Sequence, residues 1–578
     1  MEIRTKEHER LEENYSEKKD WLKWGPYLSE RQWGTVREDY SSNGDAWGYF
    51  THDHARSRAY RWGEDGIAGI SDRYCNICFG ITLWNGKDSI LKERLFGLTG
   101  PEGNHGEDVK ELYYYLENTP SHSYMKHLYK YPQEEFPYDK IVEENRKRGL
   151  NEREYKILDT DAFKGDKYFN VETEYAKADN EDLLIKITIE NVAKTQADLH
   201  LLPTLWIRNY WSFVGIKEKP FIKKQTANGM DYVAVKNIYV GSYNLYFEEA
   251  DFLFFTENET NEEAVYLRKN DHPYKKDLFH TSLVNDNVSL PTSIEEGTKF
   301  APVYKLNFQG GETKTIKLRL SAQEHSQPFD EQFEEIFNRR IEECNEFYNA
   351  ITNGSTNERK AIQRQAYSGL LWTKQYYNYD VETWLEGDSD VSIPPVERLS
   401  GRNSNWKTLR NHDIMSMPDK WEYPWYASWD SAFHCISLAK IDPEFAKNQL
   451  ILFTREWYMA PNGQIPAYEW SFSDVNPPVQ AWAAMKVYKI DKEQKGVGDI
   501  KFLKRILNKL ALNFTWWVNR LDSSNNNIFE GGFLGLDNIG VFDRSYGVPG
   551  NGKLEQVDGT SWMALYCLSM LEISLEIS

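Results

Sequence analysis

Between about residues 73 and 325 the apolar positions recur in short runs suited to strands. Leu183 to Val192 alternates with period two near its end, and Thr315 to Leu320 alternates cleanly. Leu199 to Ile207 is mostly apolar, whereas Tyr232 to Val240 and Asn244 to Phe255 are β-branched and aromatic stretches. Turn signals such as Asn228-Gly229 and Gly310-Gly311 separate them, and no helix-length period intervenes. This pattern predicts a large antiparallel β-sandwich.

At Pro328 the period changes. Phe333, Ile336, Ile341, Cys344 and Phe347 lie near helical spacing within a helix over 329–351, and 361–377 reads as another. Residues 385–425 form a polar excursion with Gly and Pro. Helices then follow at 429–441, from Pro443 to Met459 with Asp442 as N-cap, from Asn476 through Ile490, over 501–520, and from about Asp558. The last is apolar and ends without a C-cap glycine or a polar turn, which suggests an interrupted protein.

Ahead of the sandwich, residues 1–20 read as a charged amphipathic helix. From Trp21 to Asp72 arginines, acids and aromatics crowd together with little periodicity. Such density suits ion-pair networks under a loop layer, or a segment reaching over an active site. The division expected is 1–72, a sandwich over 73–327, a linker helix over 328–360 and a helical domain over 361–578. The fold class is α+β and multidomain, and 578 residues is too long for one ordinary core.

Charge narrows the function. Lys plus Arg number 69 against 89 acids, a net charge of −20, which argues against nucleic-acid or anionic-membrane partners. No window approaches a membrane span, and the charged start is unlike a signal peptide. Five cysteines do not make a disulfide framework, so a cytoplasmic protein fits best. Cys75-Asn-Ile-Cys78 lacks a second ligand pair for zinc and reads as structural thiols in an apolar strand. In an extended segment His52 and His54 would share a face, and hydrogen bonding suits them better than a metal. The aromatic content is 15%, with 20 Trp and 36 Tyr, which suits stacking on carbohydrate as well as filling large cores.

The stretch from Asn526 to Glu555 sets Glu530 and Asp537 among glycines and aromatics between two helices. Glycine lets backbone approach a ligand closely, and a carboxyl group in an apolar setting has its pKa raised and can act as an acid. A surface loop whose Asp and Asn cap the next helix is the plainer alternative.

Several runs carry a resemblance. They are Trp24 to Tyr40, Leu95 to Asp108, Tyr426-Ala-Ser-Trp-Asp-Ser-Ala-Phe-His434, Pro466-Ala-Tyr-Glu-Trp470 and the 530–544 loop. Together and in this order they resemble glycoside hydrolase family 63, in its bacterial glucosidase-like branch, over essentially the whole chain. The resemblance implies an N-terminal β-sandwich joined to an (α/α)6 toroid and hydrolysis with inversion. One carboxylic acid protonates the glycosidic oxygen, and a second carboxylate activates water. By the same resemblance Asp537 is the general acid, with Glu530 and Asp543 as lesser contenders because the loop spacing is longer here. Trp429, Asp430, Tyr468, Glu469, Trp470, Asp474, Glu530 and Asn538 are expected to bind substrate. A helix cap for Trp429-Asp430 and a buried ion pair for Glu469 are the structural alternatives.

One departure stands out. The family's catalytic base lies near the end of its toroid, beyond the last residue here, and about half of the twelve helices are present. The expected reading is an exo-acting α-glucosidase whose substrate is an oligosaccharide or small glucoside, with no cofactor or metal. A sugar-binding remnant, or a half-enzyme completed by a second chain, is the alternative. A glycoside phosphorylase would need a basic or amide-rich phosphate pocket, which the residues near Asp537 do not offer.

Overall fold

The computed structural model describes residues 4–31, 37–41, 45, 48–97, 102, 111–149, 151–214, 218–284, 294–352, 356–387, 394–418, 420, 425–467, 476–520 and 558–578. Among these residues, two large antiparallel sheets, a two-stranded ribbon (Lys374–Asp380 with Arg410–Ser416) and a helical array form the molecule. The six-stranded sheet runs in the order Trp24–Gly25, Ile67–Asp72, Ile77–Trp84, Ala197–Ile207, Lys299–Phe308, Phe252–Thr256. The nine-stranded sheet is centred on Thr313–Ser321, Asp182–Asn191, Tyr168–Asp179 and Tyr124–Pro132. Their inner faces share one core, in which Phe79, Ile81 and Leu201 of the first meet Tyr175, Ile185 and Leu318 of the second. The strand expected over Thr315–Leu320 is present, but burial does not follow its alternation: Leu318 and Leu320 face the core, while Arg319 on the other face is buried too, paired with Asp182.

The run from Asn244 to Phe255 does not form one strand. It divides into Gly241–Phe247 in the larger sheet and Phe252–Thr256 in the smaller, and the acidic corner Glu248-Glu249-Ala250-Asp251 carries the chain between them. A ten-residue helix, Tyr138–Lys147, also interrupts the strand region. Its buried residues Tyr138 and Ile141 join a small satellite core with Phe96 and Phe136.

We number the longer helices α1 (Lys6–Tyr15), α2 (Glu331–Ile351), α3 (Asn357–Trp372), α4 (Ser428–Leu438), α5 (Pro443–Leu452), α6 (Gln480–Lys495), α7 (Ile500–Val518) and α8 (Asp558–Ile577). Their starts follow side-chain caps. Asp330 accepts from Gln332 N, Thr356 from Arg359 N, Asp442 from Phe445 N ahead of Pro443, and Asp499 from Phe502 N. The helix expected over 361–377 stops at Trp372. Lys374–Asp380 is instead a strand, rich in tyrosine, paired with Arg410–Ser416 inside the stretch read as an irregular excursion.

The helices from α4 onward lie in two rows. α4 packs on α6 and α6 on α8, whereas α5 packs on α7, and consecutive helices join the rows. Burial follows this arrangement. α7 is amphipathic, with Phe502, Leu503, Ile506, Leu510 and Trp517 inward. α6 is buried on several sides, at Ala481, Ala483, Ala484, Met485, Val487 and Tyr488. α8 carries apolar residues on all faces, and Leu568, Leu571 and Leu575 stand exposed.

The N-terminal segment is stitched over both parts by buried cations. Lys177 Nζ donates to the carbonyls of Trp21, Trp24 and Ser121 at 2.6, 2.7 and 3.1 Å, and burial lowers its pKa to about 7. Lys420 donates to Pro26 and Leu28 carbonyls, and Lys276 to those of Ala55 and Arg58. Arg398 and Arg402 lie over the Trp384 ring at 4.1 and 4.4 Å and hold the backbone and carboxylate of Asp39 at 2.7 and 3.0 Å. The dense arginines and acids of 21–72 therefore do form an ion-pair and carbonyl network. His52 begins a short helix, His52–Ser57, capped by Thr51, rather than an extended segment. Among the described residues neither of its ring nitrogens has a hydrogen-bond partner, and burial beside Arg94 and Arg56 pushes its pKa well down.

Candidate active site

Trp429 and Asp430 occupy the first turn of α4, which the structure brings to a junction of three segments. Ala427, at the N-cap, supplies no side-chain cap. In place of one, Ser428 N and Oγ donate to the carbonyls of Ala467 and Pro466 at 3.1 and 3.0 Å. The helix start is thereby fastened to the residues leading into Tyr468-Glu469-Trp470. Immediately before it, Tyr426 is buried in an aromatic nest with Tyr377, Phe453 and Tyr458 at centroid distances of 5.4, 5.4 and 5.9 Å. Trp425 packs with Phe50, Ala55 and Tyr60 of the N-terminal segment, which thus reaches the edge of the site.

Asp430 is half-buried, and burial holds its carboxyl above the ordinary aspartate value against its own backbone N–H. Among the described residues no cation lies within ion-pair distance of it, so the ion-pair route to a lowered pKa is absent there. One turn on, His434 Nδ1 pairs with Ser416 Oγ at 2.9 Å, and burial lowers the imidazole to about 4, so it is neutral near pH 7. Ser416 N in turn donates to Gln449 Oε1 at 3.1 Å, which ties α5 to the end of the ribbon.

Beside Asp430 runs an aromatic ladder absent from the sequence-based expectations. Trp429 meets Phe433 edge-on at 5.7 Å, and Phe433 meets Trp482 of α6 at 5.5 Å. Phe433 is 42% exposed although apolar, and both tryptophans are half-buried. Phe433 follows Trp429 by four residues and was legible from helical spacing. Trp482 lies on another helix, and only packing brings it there. A carboxyl group of raised pKa next to a wet aromatic strip offers hydrogen bonding and stacking to a polyhydroxylated ring.

Of the other expected site residues, Tyr468, Glu469, Trp470, Asp474, Glu530, Asp537 and Asn538 lie outside the described residues, as does Asp543. A possible cation cluster, Glu259, Asp271 and His272, lies apart in the strand region. Lys275 Nζ already sits 3.1 Å from Glu259 Oε2, 2.6 Å from Asp271 Oδ1 and 3.2 Å from His272 Nε2, and Lys219 Nζ sits 2.7 Å from Glu259 Oε1. Two ammonium groups supply the positive charge a metal would bring.

Residues 423–538 match the mannosylglycerate hydrolase MGH1-like glycoside hydrolase domain. The match begins two residues before Trp425 and includes every expected site residue except Asp543. That stretch of the chain is therefore similar to a glycoside hydrolase domain. An uncharacterized protein of Saccharomyces cerevisiae is 48% identical over 620 aligned residues, covering 99% of this chain and 57% of the relative. The chain therefore spans little more than half the length of the curated relative it matches. Among solved structures, a putative kojibiose phosphorylase from the human microbiome is similar at 11% identity and a TM-score of 0.25, over 63% of this chain and 45% of that one. A polysaccharide lyase is similar at 10% identity and a TM-score of 0.21, over 76% of this chain and 62% of that one. Likeness at that level carries no argument about fold or substrate. Among the described residues no helix is long and apolar enough to cross a membrane.

Proposed function

We propose that this chain is the sandwich and part of the (α/α)6 toroid of an inverting, exo-acting α-glucosidase, with a sandwich that takes in the strands Trp24–Gly25 and Ile67–Asp72 of segment 1–72 along with 73–327, a linker helix over 328–360 and a helical domain over 361–578. The observation that carries it is the raised carboxyl of Asp430 beside the Trp429–Phe433–Trp482 strip, at a helix start inside the matched glycosidase domain. The two helix rows support the toroid, because alternate helices side by side are the packing that a ring of helical hairpins requires.

In this reading Asp537 is the general acid, protonating the glycosidic oxygen. Trp429 and Asp430 hold the sugar ring with Tyr468, Glu469, Trp470, Asp474, Glu530 and Asn538. The resemblance assigns no residue of this chain as the base that activates water. An inverting pair must stand about 6.5–9.5 Å apart to admit that water. The exposed Leu568, Leu571 and Leu575 of α8 support a further helical layer, supplied by a longer polypeptide or a second chain. Five free thiols support a cytoplasmic setting.

The name of the matching domain favours a second substrate reading, hydrolysis of mannosylglycerate. One panel separates the two. Purified protein is offered α-linked glucose disaccharides, glyceryl and aryl α-glucosides, and mannosylglycerate, each with wild type and Asp537→Asn. Glucose release by the wild type and its loss in the variant uphold the proposal, whereas release from mannosylglycerate alone replaces the substrate class. Sugar binding without turnover by either protein supports the half-enzyme form.

A further inference from the structure

The dithiol Cys75/Cys78 takes no part in the glycosidase reading, yet among the described residues it brings two cysteine sulfurs into contact. The two sulfurs lie 3.6 Å apart, and both residues are buried, at 1% and 0% exposure. Only Cys78 lies in the strand Ile77–Trp84. Cys75 sits in the preceding turn with φ of +56°, a left-handed conformation uncommon for a side-chain-bearing residue. That conformation folds the chain back so that the two side chains meet.

The turn is fastened at many points. Asp72 Oδ2 accepts from Asn76 N at 2.6 Å and Ile77 N at 2.7 Å, while Oδ1 accepts from Tyr74 N and Asn76 Nδ2 at 3.0 Å. Arg208 Nε donates to the Cys75 carbonyl at 3.0 Å, so a permanent cation stands beside the thiols. The pair also lies on a seam. Tyr27, Leu28, Trp206 and Tyr376 pack around it, with Ile414 against them, and Tyr376 and Ile414 belong to the ribbon that precedes α4. Tyr74, beside Cys75 in the turn, is 51% exposed, so the turn itself reaches the surface.

We propose that Cys75 and Cys78 form a reversible intrachain disulfide when a peroxide reaches the turn, closing that turn where the sandwich meets the ribbon. One thiolate attacks hydrogen peroxide, giving a sulfenic acid and, after proton transfer, water. The neighbouring sulfur then displaces the sulfenic oxygen as a second water. In sum two thiols and one peroxide give one disulfide and two waters, with two electrons passing from sulfur to oxygen. Closing a bond of about 2 Å asks the sulfurs to approach by about 1.6 Å, a movement within a single turn. Burial pushes the Cys78 thiol well up, so the reaction is slow near neutral pH and faster as pH rises. The remaining cysteines provide controls: Cys344 and Cys435 are buried and Cys567 is exposed.

The full chain is treated with hydrogen peroxide, denatured, alkylated and digested. The expected result is a peptide holding both residues, about 2 Da lighter and unalkylated, that dithiothreitol restores. Cys344 and Cys435 stay alkylated, and the oxidised protein melts at a higher temperature. In Cys75→Ser, Cys78 is alkylated after the same treatment and the melting shift disappears. The proposal is overturned if Cys75 and Cys78 are both alkylated at a peroxide dose that oxidises Cys567, or if either stops at a sulfinic acid.

Discussion

Ser428 Oγ donates to the carbonyl of Pro466 at 3.0 Å, joining the start of α4 to the segment that runs into Tyr468, Glu469 and Trp470. Two stretches far apart in the chain are thus set side by side by one buried hydroxyl. Ser428→Ala leaves a buried carbonyl with one partner fewer, at a cost of about 1–3 kcal/mol. A denaturant midpoint lowered by that amount, together with weaker sugar binding, is expected. Unchanged binding would separate the clamp from the site.

Asp430 gives a stability effect opposite in sign to its effect on activity. Its folded pKa is raised above the unfolded value, so its favourable contribution is fully present below the unfolded pKa and is lost as pH rises through the folded one. Asp430→Asn should therefore raise the melting temperature at pH 7, with the gain shrinking toward pH 3. The same change should lower kcat/KM by about 10- to 100-fold, the loss of one charged hydrogen bond. Melting curves across pH and initial rates on the active glucoside check both.

Stacking can be tested apart from charge. Trp482→Ala removes the far end of the aromatic ladder and is expected to weaken sugar binding by about 2- to 10-fold. Titration followed by tryptophan fluorescence measures it. Phe433→Leu, which keeps an apolar side chain but no ring, should show a comparable loss with little change in melting temperature.

Glu259 governs part of the acid limb of stability. Burial alone would raise its pKa, but Lys219 and Lys275, with the Trp211 indole, bring it down to about 2. A folded pKa below the unfolded value gives stability that is present above about pH 4.5 and lost as pH falls through about 2. Glu259→Gln should flatten the stability profile across that window and lower stability at pH 7. Because the two lysines supply the positive charge, calcium or a chelator should leave the melting temperature of the wild type unchanged.

Replacing Leu568, Leu571 and Leu575 together by glutamine removes the exposed apolar stripe of α8. Light scattering should show less self-association with an unaltered melting temperature. If the triple variant melts markedly earlier, those leucines pack inside this chain.

The strand and helix halves were legible because each has one dominant period, two before Pro328 and 3.6 after it. The caps Asp442 and Asp499 are local signals, and the first was read from Asp-Pro. Errors fell where neighbours decide. Lys374–Asp380 continues a helical pattern in sequence yet forms a strand, because Arg410–Ser416 lies ready to pair with it. The stretch from Asn244 to Phe255 reads as continuous, but its two halves serve different sheets. In the site, the resemblance singled out Trp429 and Asp430, and the structure placed them in one helical turn at a segment junction. It also added Phe433 and Trp482, whose relation no single-helix pattern contains.

By itself the amino-acid sequence determined the chemistry available: acidic, rich in tryptophan and tyrosine, with two halves of different period and a glycosidase-like set of motifs. Those follow from residue type and local spacing, which need no partner. The tertiary structure decided which carboxyl loses its water, which lysine meets which carbonyl, and which two thiols touch. Desolvation and ion pairing depend on distance between residues that are remote along the chain, and the sulfur contact depends on the left-handed turn at Cys75; only the packed chain sets these.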